Sequence, residues 1–216
     1  MSYTPQQIAD ALDLAVLKST ATADDVACAC ALANTHKIKS VCVAPVYVRL
    51  AAGMFNNVCS VIGFPHGNST PDAKYYEAVA AMRDGARELD VVLNYGRYLD
   101  GDPVPLLTEL ALIVSAAHSE NILVKAILET CYYIPKQITE VCRMCVDTGA
   151  DFVKTSTGFG AKGATPGVVQ IMLDAVASTG VLVKASGGIK KYADAARYLD
   201  LGCTRLGSSR FSELLP

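Results

Sequence analysis

ADFVKTSTGFG, at residues 150–160, is the stretch of sequence that decides the fold. In it a short apolar run ends in Lys154 and gives way at once to small hydroxyl and glycine residues. A second stretch, VLVKASGG at 181–188, has the same form and carries Lys184. Both are typical of buried parallel strands that end in a polar loop, where chemistry gathers in barrel folds.

The same alternation of short apolar runs and longer amphipathic segments extends along the whole chain. Nearly continuous apolar runs predict strands at 12–17, 40–44, 58–63, 88–93, 123–129, 152–155, 181–185 and 205–207. Helices are predicted at 22–36, 46–55, 71–84, 103–119, 135–148, 166–178, 190–201 and 209–215. Prolines suit the first turns of four of these helices: Pro71, Pro103, Pro135 and Pro166.

Eight strand and helix units predict one α/β domain over residues 1–216, a (β/α)8 TIM barrel. At 216 residues the chain is short for this fold, so we expect short loops. A doubly wound open sheet is the structural alternative. The GxGxxG fingerprint of its dinucleotide-binding version is missing after the first strand.

Composition excludes several classes of function. A net charge of −2 gives no broad positive field, so we expect no nucleic-acid partner, although a small anionic ligand needs only a local pocket. No window offers about 18 uncharged apolar residues, so we expect no membrane partner and a cytoplasmic location. The eight cysteines are scattered, and the CxxC at 142–145 has no second pair. We therefore expect neither a metal nor a cofactor.

The two lysines at strand ends point to carbonyl chemistry. Period-two alternation turns both amines into the barrel, on adjacent strands about 4.8 Å apart. At an effective dielectric of about 20 and a separation of about 5 Å, their repulsion is roughly 3 kcal/mol and favours loss of one proton. A neutral amine can form a Schiff base. The other interpretation is an ion network in which Lys154 and Lys184 pair with Asp13, Asp90 or Glu129.

Asp90 lies in the fourth predicted strand, within ELDVV at 88–92. It fits an interior carboxylate neutralised by a lysine, and it equally fits a proton relay acting through a water. Lys125 lies earlier in its own strand and fits a charge-pairing residue of the barrel interior.

Glycine and hydroxyl clusters follow the seventh and eighth predicted strands, and each is expected to open a helix. Glycine loops and helix N-termini bind phosphate, and barrels of this type commonly hold phosphate after these two strands. Lys190 adds positive charge, and Cys42 fits either the pocket wall or plain packing. The candidate binding residues are Cys42, Thr155, Gly158, Gly187, Gly188, Lys190, Gly207, Ser208 and Ser209.

The chain resembles the deoxyribose-phosphate aldolases over essentially its full length. The motifs that carry the resemblance are CVAP at 42–45, VIGFPHG at 61–67, ELDVV at 88–92, ETC at 129–131, ADFVKTSTGF at 150–159, VKASGG at 183–188 and RLGSS at 205–209. The two lysine blocks, in this order, are highly specific together.

The resemblance implies a metal-free class I aldolase that joins acetaldehyde reversibly to glyceraldehyde 3-phosphate, giving 2-deoxyribose 5-phosphate. Its partners would be small aldehydes and sugar phosphates, and the apolar outer helices are compatible with a homodimer. By position, Lys154 would form the Schiff base, Lys184 would hold it neutral, and Asp90 would relay protons through a water. Another imine-forming aldolase or transaldolase, and a catalytically silent phosphate binder, are the alternatives.

Three departures from the family pattern bear on substrate preference. Ala15 stands where many members have a threonine hydroxyl, Lys190 and Lys191 replace an Arg-Thr pair, and Phe159 stands where some members have a lysine. We expect phosphate affinity and aldehyde preference to differ accordingly.

Overall fold

The computed structural model describes residues 3–214. The strands in this range are β1 (Leu12–Val16), β2 (Ser40–Val43), β3 (Val58–Ile62), β4 (Glu88–Val92), β5 (Leu123–Ile127), β6 (Phe152–Lys154), β7 (Leu182–Ser186) and β8 (Arg205–Ser208). The α-helices are α1 (Pro5–Ala9), α2 (Ala23–His36), α3 (Val48–Ala52), α4 (Pro71–Arg83), α5 (Tyr95–Leu99), α6 (Val104–Ser119), α7 (Pro135–Asp147), α8 (Pro166–Val176), α9 (Tyr192–Leu201) and α10 (Phe211–Leu214). Short 3-10 turns lie at Pro45–Tyr47 and Thr130–Tyr132.

The strands form a closed parallel barrel in chain order, with β8 paired to β1. The predicted (β/α)8 barrel is therefore confirmed, and the open sheet is excluded. Local sequence explains how the helices begin: the Thr22, Thr70 and Thr165 side chains accept hydrogen bonds from backbone amides in the first turns of α2, α4 and α8. Since the parallel strands all run the same way, their carboxyl ends meet at one mouth.

The predicted elements differ from the observed ones mainly where helices are short. The helix predicted at 46–55 is divided into the turn Pro45–Tyr47 and α3, and Pro103 precedes α6 rather than lying within it. Helices α1 and α5 have five residues each, too few to show a clear 3.6-residue period. The helix predicted at 209–215 is observed as α10, and residue 215 lies outside the described residues.

The two faces of the strands differ in chemistry. Residues of the outward face, such as Val91, Val153 and Val183, belong to the main apolar core. The inward face is charged, and its ionisable residues are buried with at most 4% exposure: Asp13, Glu88, Asp90, Lys125, Lys154, Lys184 and Arg205. The apolar character predicted for the strands therefore holds for most of their outward face, whereas the inward face mixes charged residues with apolar ones such as Val61 and Ile127.

Among the helices of residues 3–214, none has both the length and the apolar character needed to cross a bilayer.

Candidate active site

Lys154 and Lys184 lie side by side at the mouth of the barrel. They are register partners, Lys154 as the last residue of β6 and Lys184 in the middle of β7, and both are almost fully buried. One carboxylate oxygen, Asp90 Oδ2, accepts a hydrogen bond from Lys154 Nζ at 2.6 Å and from Lys184 Nζ at 2.7 Å. The two nitrogens thus lie no farther apart than these two bonds placed end to end, as the alternation of the strands predicted.

Asp90 is the point where three ammonium groups converge. Its second oxygen, Oδ1, accepts from Lys125 Nζ at 2.8 Å and lies 3.2 Å from Cys59 Sγ. Burial alone would raise the pKa of Asp90, but the charges of Lys125, Lys154 and Lys184 outweigh it and hold the pKa well below its usual range. Asp90 therefore remains an anion beneath the two amines.

Below this group lies a second set of buried ion pairs. Lys184 also contacts Asp13, and Arg205 donates from Nε to Asp13 at 2.9 Å and from Nη2 to Glu88 at 2.7 Å. Lys125 Nζ lies 2.5 Å from Glu88 Oε2. The ion-network interpretation of the sequence is thus also present: the lysine pair forms one end of a charged column along the barrel axis.

The column keeps Lys184 charged. Burial lowers the pKa of Lys184, but the carboxylates of Asp13 and Asp90 more than offset this and raise it above the usual lysine value. In return, Lys184, Lys125 and Arg205 overcome the effect of burial on Asp13 and lower its pKa. Within residues 3–214, Lys154 has a single ion pair, to the Asp90 oxygen that Lys184 also holds.

A cavity of about 640 Å³ opens above the amines at the mouth of the barrel. Lys154 and Lys184 lie in its lining, whereas Asp90 lies beneath them, fully buried. Most of the predicted binding residues also line it: Cys42, Gly158, Gly187, Gly188, Lys190, Gly207, Ser208 and Ser209.

The loops after β6 and β7 are joined where they border this cavity. Ala164 N donates to the carbonyl oxygens of Ser186 at 3.0 Å and Gly187 at 3.1 Å. A Cβ at Gly163 would lie 2.2 Å from Gly187 O, so only glycine permits this approach. Helix α9 begins at Tyr192, beyond the glycine pair, so the expected glycine loop does not open the helix directly and the helix N-terminus is set back from it.

Thr155 is placed differently from the prediction. Its buried hydroxyl donates to Ser186 O at 2.9 Å and accepts from Ser186 N at 3.0 Å, and the residue is not part of the cavity lining. The strand after Lys154 continues to pair with β7, so this side chain joins two strands instead of facing a ligand. Thr155 N also donates to Lys184 O, which links the two lysine-bearing segments directly.

Glu129, at the end of β5, holds the loop that follows Lys154. Its Oε2 accepts from Thr157 N at 3.3 Å and from the Thr157 hydroxyl, and its backbone is left-handed at φ 57°. Burial raises the pKa of Glu129 despite these hydrogen bonds. From the sequence, Glu129 was predicted only as a partner for a lysine. Its position at the end of the predicted strand 123–129 was a signal that it belongs to the site at the strand ends.

All three family departures reach the cavity wall, and the second does so through Lys190. Ala15 lines the cavity on the strand of Asp13 and offers no hydroxyl there. Phe159 is half exposed and meets Phe64 edge to face, with ring centroids 5.3 Å apart. Ala15 and Phe159 consequently contribute apolar surface to the cavity wall.

One group of donor atoms in residues 3–214 is compact enough to suggest a metal site. The side chains of Cys42, Cys59 and Asp90 have donor atoms within 4.8 Å of one another. Asp90 already contacts the side-chain nitrogens of three lysines, so an added cation would be strongly repelled by their positive charge. The geometry favours an ammonium-filled carboxylate site over a metal site.

The comparisons with known proteins agree on one family. Residues 8–202 match the DeoC/LacD family of aldolases. Deoxyribose-phosphate aldolase of Carboxydothermus hydrogenoformans is 43% identical over 94% of this chain and 91% of its own, and that of Treponema denticola is 40% identical over 92% and 93%. The tetrameric deoxyribose phosphate aldolase of Aeropyrum pernix superposes with a TM-score of 0.91 at 33% identity, covering 98% of this chain and 90% of that one.

Proposed function

The chain belongs to the DeoC/LacD family of aldolases, and from this premise we propose that it cleaves 2-deoxyribose 5-phosphate to glyceraldehyde 3-phosphate and acetaldehyde, and runs the reverse aldol addition, through a Schiff base on Lys154. The enzyme is a lyase. The observation that carries the proposal is the single Asp90 oxygen that accepts hydrogen bonds from both amines, on two lysines that line the cavity.

The chemistry follows from the different surroundings of the two lysines. Neutral Lys154 attacks the C1 carbonyl, and loss of water from the carbinolamine gives an iminium. The C3 hydroxyl gives up its proton and becomes the carbonyl of glyceraldehyde 3-phosphate as the C2–C3 bond breaks. The iminium accepts the electron pair of that bond, which leaves an enamine on Lys154. Protonation of the enamine and hydrolysis then release acetaldehyde and regenerate the amine.

Lys184 and Asp90 are proposed to hold and move the protons of these steps. Lys184 lies in the cavity lining and stays charged, so it can donate a proton to the departing hydroxyl or to the enamine carbon. Asp90 contacts both amines and can pass a proton from one amine to the other, or to the substrate through a water. Its anionic charge also stabilises the iminium as it forms.

The phosphate group is proposed to bind at the loops after β6, β7 and β8. Gly158, Gly187 and Gly188 adopt left-handed backbone angles and line the cavity, which suits backbone amides turned toward an anion. Ser208 and Ser209 line the same side, and Lys190 adds a positive charge.

Reductive trapping tests the proposed function. Incubation with acetaldehyde and borohydride is expected to add one ethyl group at Lys154, located by peptide mass, while borohydride alone leaves the peptide unchanged. Absence of any adduct would favour a silent phosphate-binding barrel. An adduct at Lys154 without cleavage of deoxyribose 5-phosphate, but with cleavage of fructose phosphates, would favour a different imine-forming aldolase.

Removing the Lys190 charge is expected to weaken phosphate binding without slowing the chemistry. Lys190→Ala should raise KM for deoxyribose 5-phosphate about threefold, the effect of one exposed charge pair, and leave kcat unchanged. Lys191→Ala is the matched control, because Lys191 is exposed beside it but does not line the cavity. Equal effects on unphosphorylated deoxyribose would contradict a phosphate contact.

We also propose a cytoplasmic location and self-association as a homodimer. All eight cysteines are free, which supports a reducing compartment. Exposed apolar side chains at Leu99, Val104, Tyr132 and Ile134 support a protein contact on the segments between β4 and α7. Light scattering on the purified protein measures the oligomeric state.

A further inference from the structure

The charged column of the barrel extends well below the cavity. Glu88 precedes Asp90 by two residues on β4, which places it about 7 Å farther from the mouth on the same face. Arg205 begins β8 and joins Glu88 to Asp13, while Lys125 joins Glu88 to Asp90. Glu88, Lys125 and Arg205 are buried and do not line the cavity, so they cannot contact substrate from these positions.

Counting charges in this column leaves one cation in excess. Four cationic side chains, Lys125, Lys154, Lys184 and Arg205, face three carboxylates, those of Asp13, Glu88 and Asp90. A low-dielectric interior disfavours an uncompensated charge, so the column is more stable when one cation gives up its proton.

The contacts decide which cation does so. Lys125 has Asp90, Glu88 and Asp13 within 3.9 Å, and Lys184 has Asp13 and Asp90. The carboxylates outweigh burial and raise the pKa of both lysines. Lys154 has one ion pair within residues 3–214, to the Asp90 oxygen that it shares with Lys184, so it has the fewest carboxylate contacts of the four cations.

The other titratable groups that face the column do not change this count. Cys42 on β2 and Cys59 on β3 lie against Asp90, and burial raises the pKa of Cys59. A hydrogen bond from Cys59 lowers the pKa of Cys42 despite its burial. Glu129, after β5, accepts hydrogen bonds from Thr157, and within residues 3–214 it forms no ion pair with a cation of the column.

We propose that Glu88, Lys125 and Arg205 are positioning residues for the aldol reaction: by fixing the number of charges beneath Lys154, they set the pH at which its amine is free to attack. The inference rests on the assignment of Lys154 as the Schiff-base lysine. It adds to the proposed reaction three residues that lie deeper in the barrel than the cavity and do not contact substrate.

Two single substitutions are expected to shift the pH dependence in opposite directions. Glu88→Gln removes an anion and keeps the shape, so the excess becomes two and the amine loses its proton more readily. The acidic limb of kcat/KM should then move down by about one pH unit. Lys125→Met removes a cation and the excess, so the limb should move up by about one pH unit.

The double variant provides the decisive comparison. Glu88→Gln with Lys125→Met restores an excess of one, and its acidic limb should return to the wild-type position. Removing both partners also leaves no unpaired charge between them, which protects folding if Lys125→Met alone proves unstable. Ser40→Ala is the neutral control in this layer, because its hydroxyl donates to Asp13 but carries no charge, and it should leave the limb in place.

The outcomes separate this inference from the proposed function. The charge count is overturned if the acidic limb of kcat/KM does not move in the single variants. It is also overturned if the limb moves the same way, relative to wild type, in Glu88→Gln and in the double variant. In either case, borohydride trapping at Lys154 would still support the aldolase. Failure of trapping in the wild-type protein would instead remove the premise. Arg205→Lys keeps the charge and should retain the wild-type limb, and a shift there would also count against the inference.

Discussion

Replacing Lys154 with alanine is expected to lower kcat for deoxyribose 5-phosphate cleavage by about 10⁴-fold or more. Without the amine no imine forms, and no group accepts the electron pair of the C2–C3 bond when it breaks. Lys184 cannot substitute, because Asp13 and Asp90 keep its ammonium charged. The measurement is the release of glyceraldehyde 3-phosphate, followed by a coupled assay.

Lys154→Leu serves as the companion variant, since it keeps most of the side-chain volume while removing the nitrogen. Both variants relieve Asp90 of only one of three ammonium partners, so we expect them to fold, as near-ultraviolet circular dichroism and a melting curve would show. Substantial turnover in either folded variant would exclude Lys154 as the nucleophile.

Replacing Lys184 with leucine is expected to lower the rate at pH 7 by about 100-fold and to move the acidic limb of the activity profile up by about two pH units. The two amines share Asp90 Oδ2, so removing one charge at about 5 Å lets the other retain its proton to higher pH. Turnover should therefore recover as the pH is raised, but only in part, because the variant lacks the Lys184 proton donor at every pH.

The pH profile distinguishes electrostatics from simple disruption of the site. Lys184→Arg keeps the charge and should retain a limb near the wild-type position, even if the bulkier guanidinium lowers kcat. An activity loss in Lys184→Leu that is the same at every pH would contradict the proposed effect on Lys154. It would assign Lys184 to proton transfer or packing alone.

The sequence predicted the barrel and the lysine pair because both follow from regular periods. Eight apolar runs separated by helical segments leave few topologies, and a two-residue period turns Lys154 and Lys184 to the same face. Register between β6 and β7 then makes them neighbours. Boundaries were less accurate, since the five residues of α5 carry little periodic signal.

Lys125 was predicted as a charge-pairing residue of the barrel interior, and it pairs with Glu88 and Asp90. Glu88 and Arg205 were not predicted to belong to the column, although the same period could have found Glu88. Glu88 stands two residues before Asp90, but a charged residue at the start of a strand usually faces solvent, and its partner Arg205 is 117 residues away. Thr155 differs in the opposite way: a hydroxyl beside Lys154 suggested a ligand contact, whereas in the structure it is hydrogen-bonded to the backbone of Ser186 on β7. Such long-range partners are set by barrel closure, which the sequence alone does not specify.

The close contact between the loops after β6 and β7 has a consequence for substrate length. Ala164 N is hydrogen-bonded to the carbonyl oxygens of Ser186 and Gly187, and Gly163 packs closely against the backbone of Gly187. These contacts hold the backbone proposed to bind phosphate in place relative to Lys154. The distance between the imine carbon and the phosphorus atom of a bound substrate is then fixed by the protein backbone. Phosphorylated sugars one carbon shorter or longer would reach either the Lys154 amine or the proposed phosphate-binding loops, but not both at once.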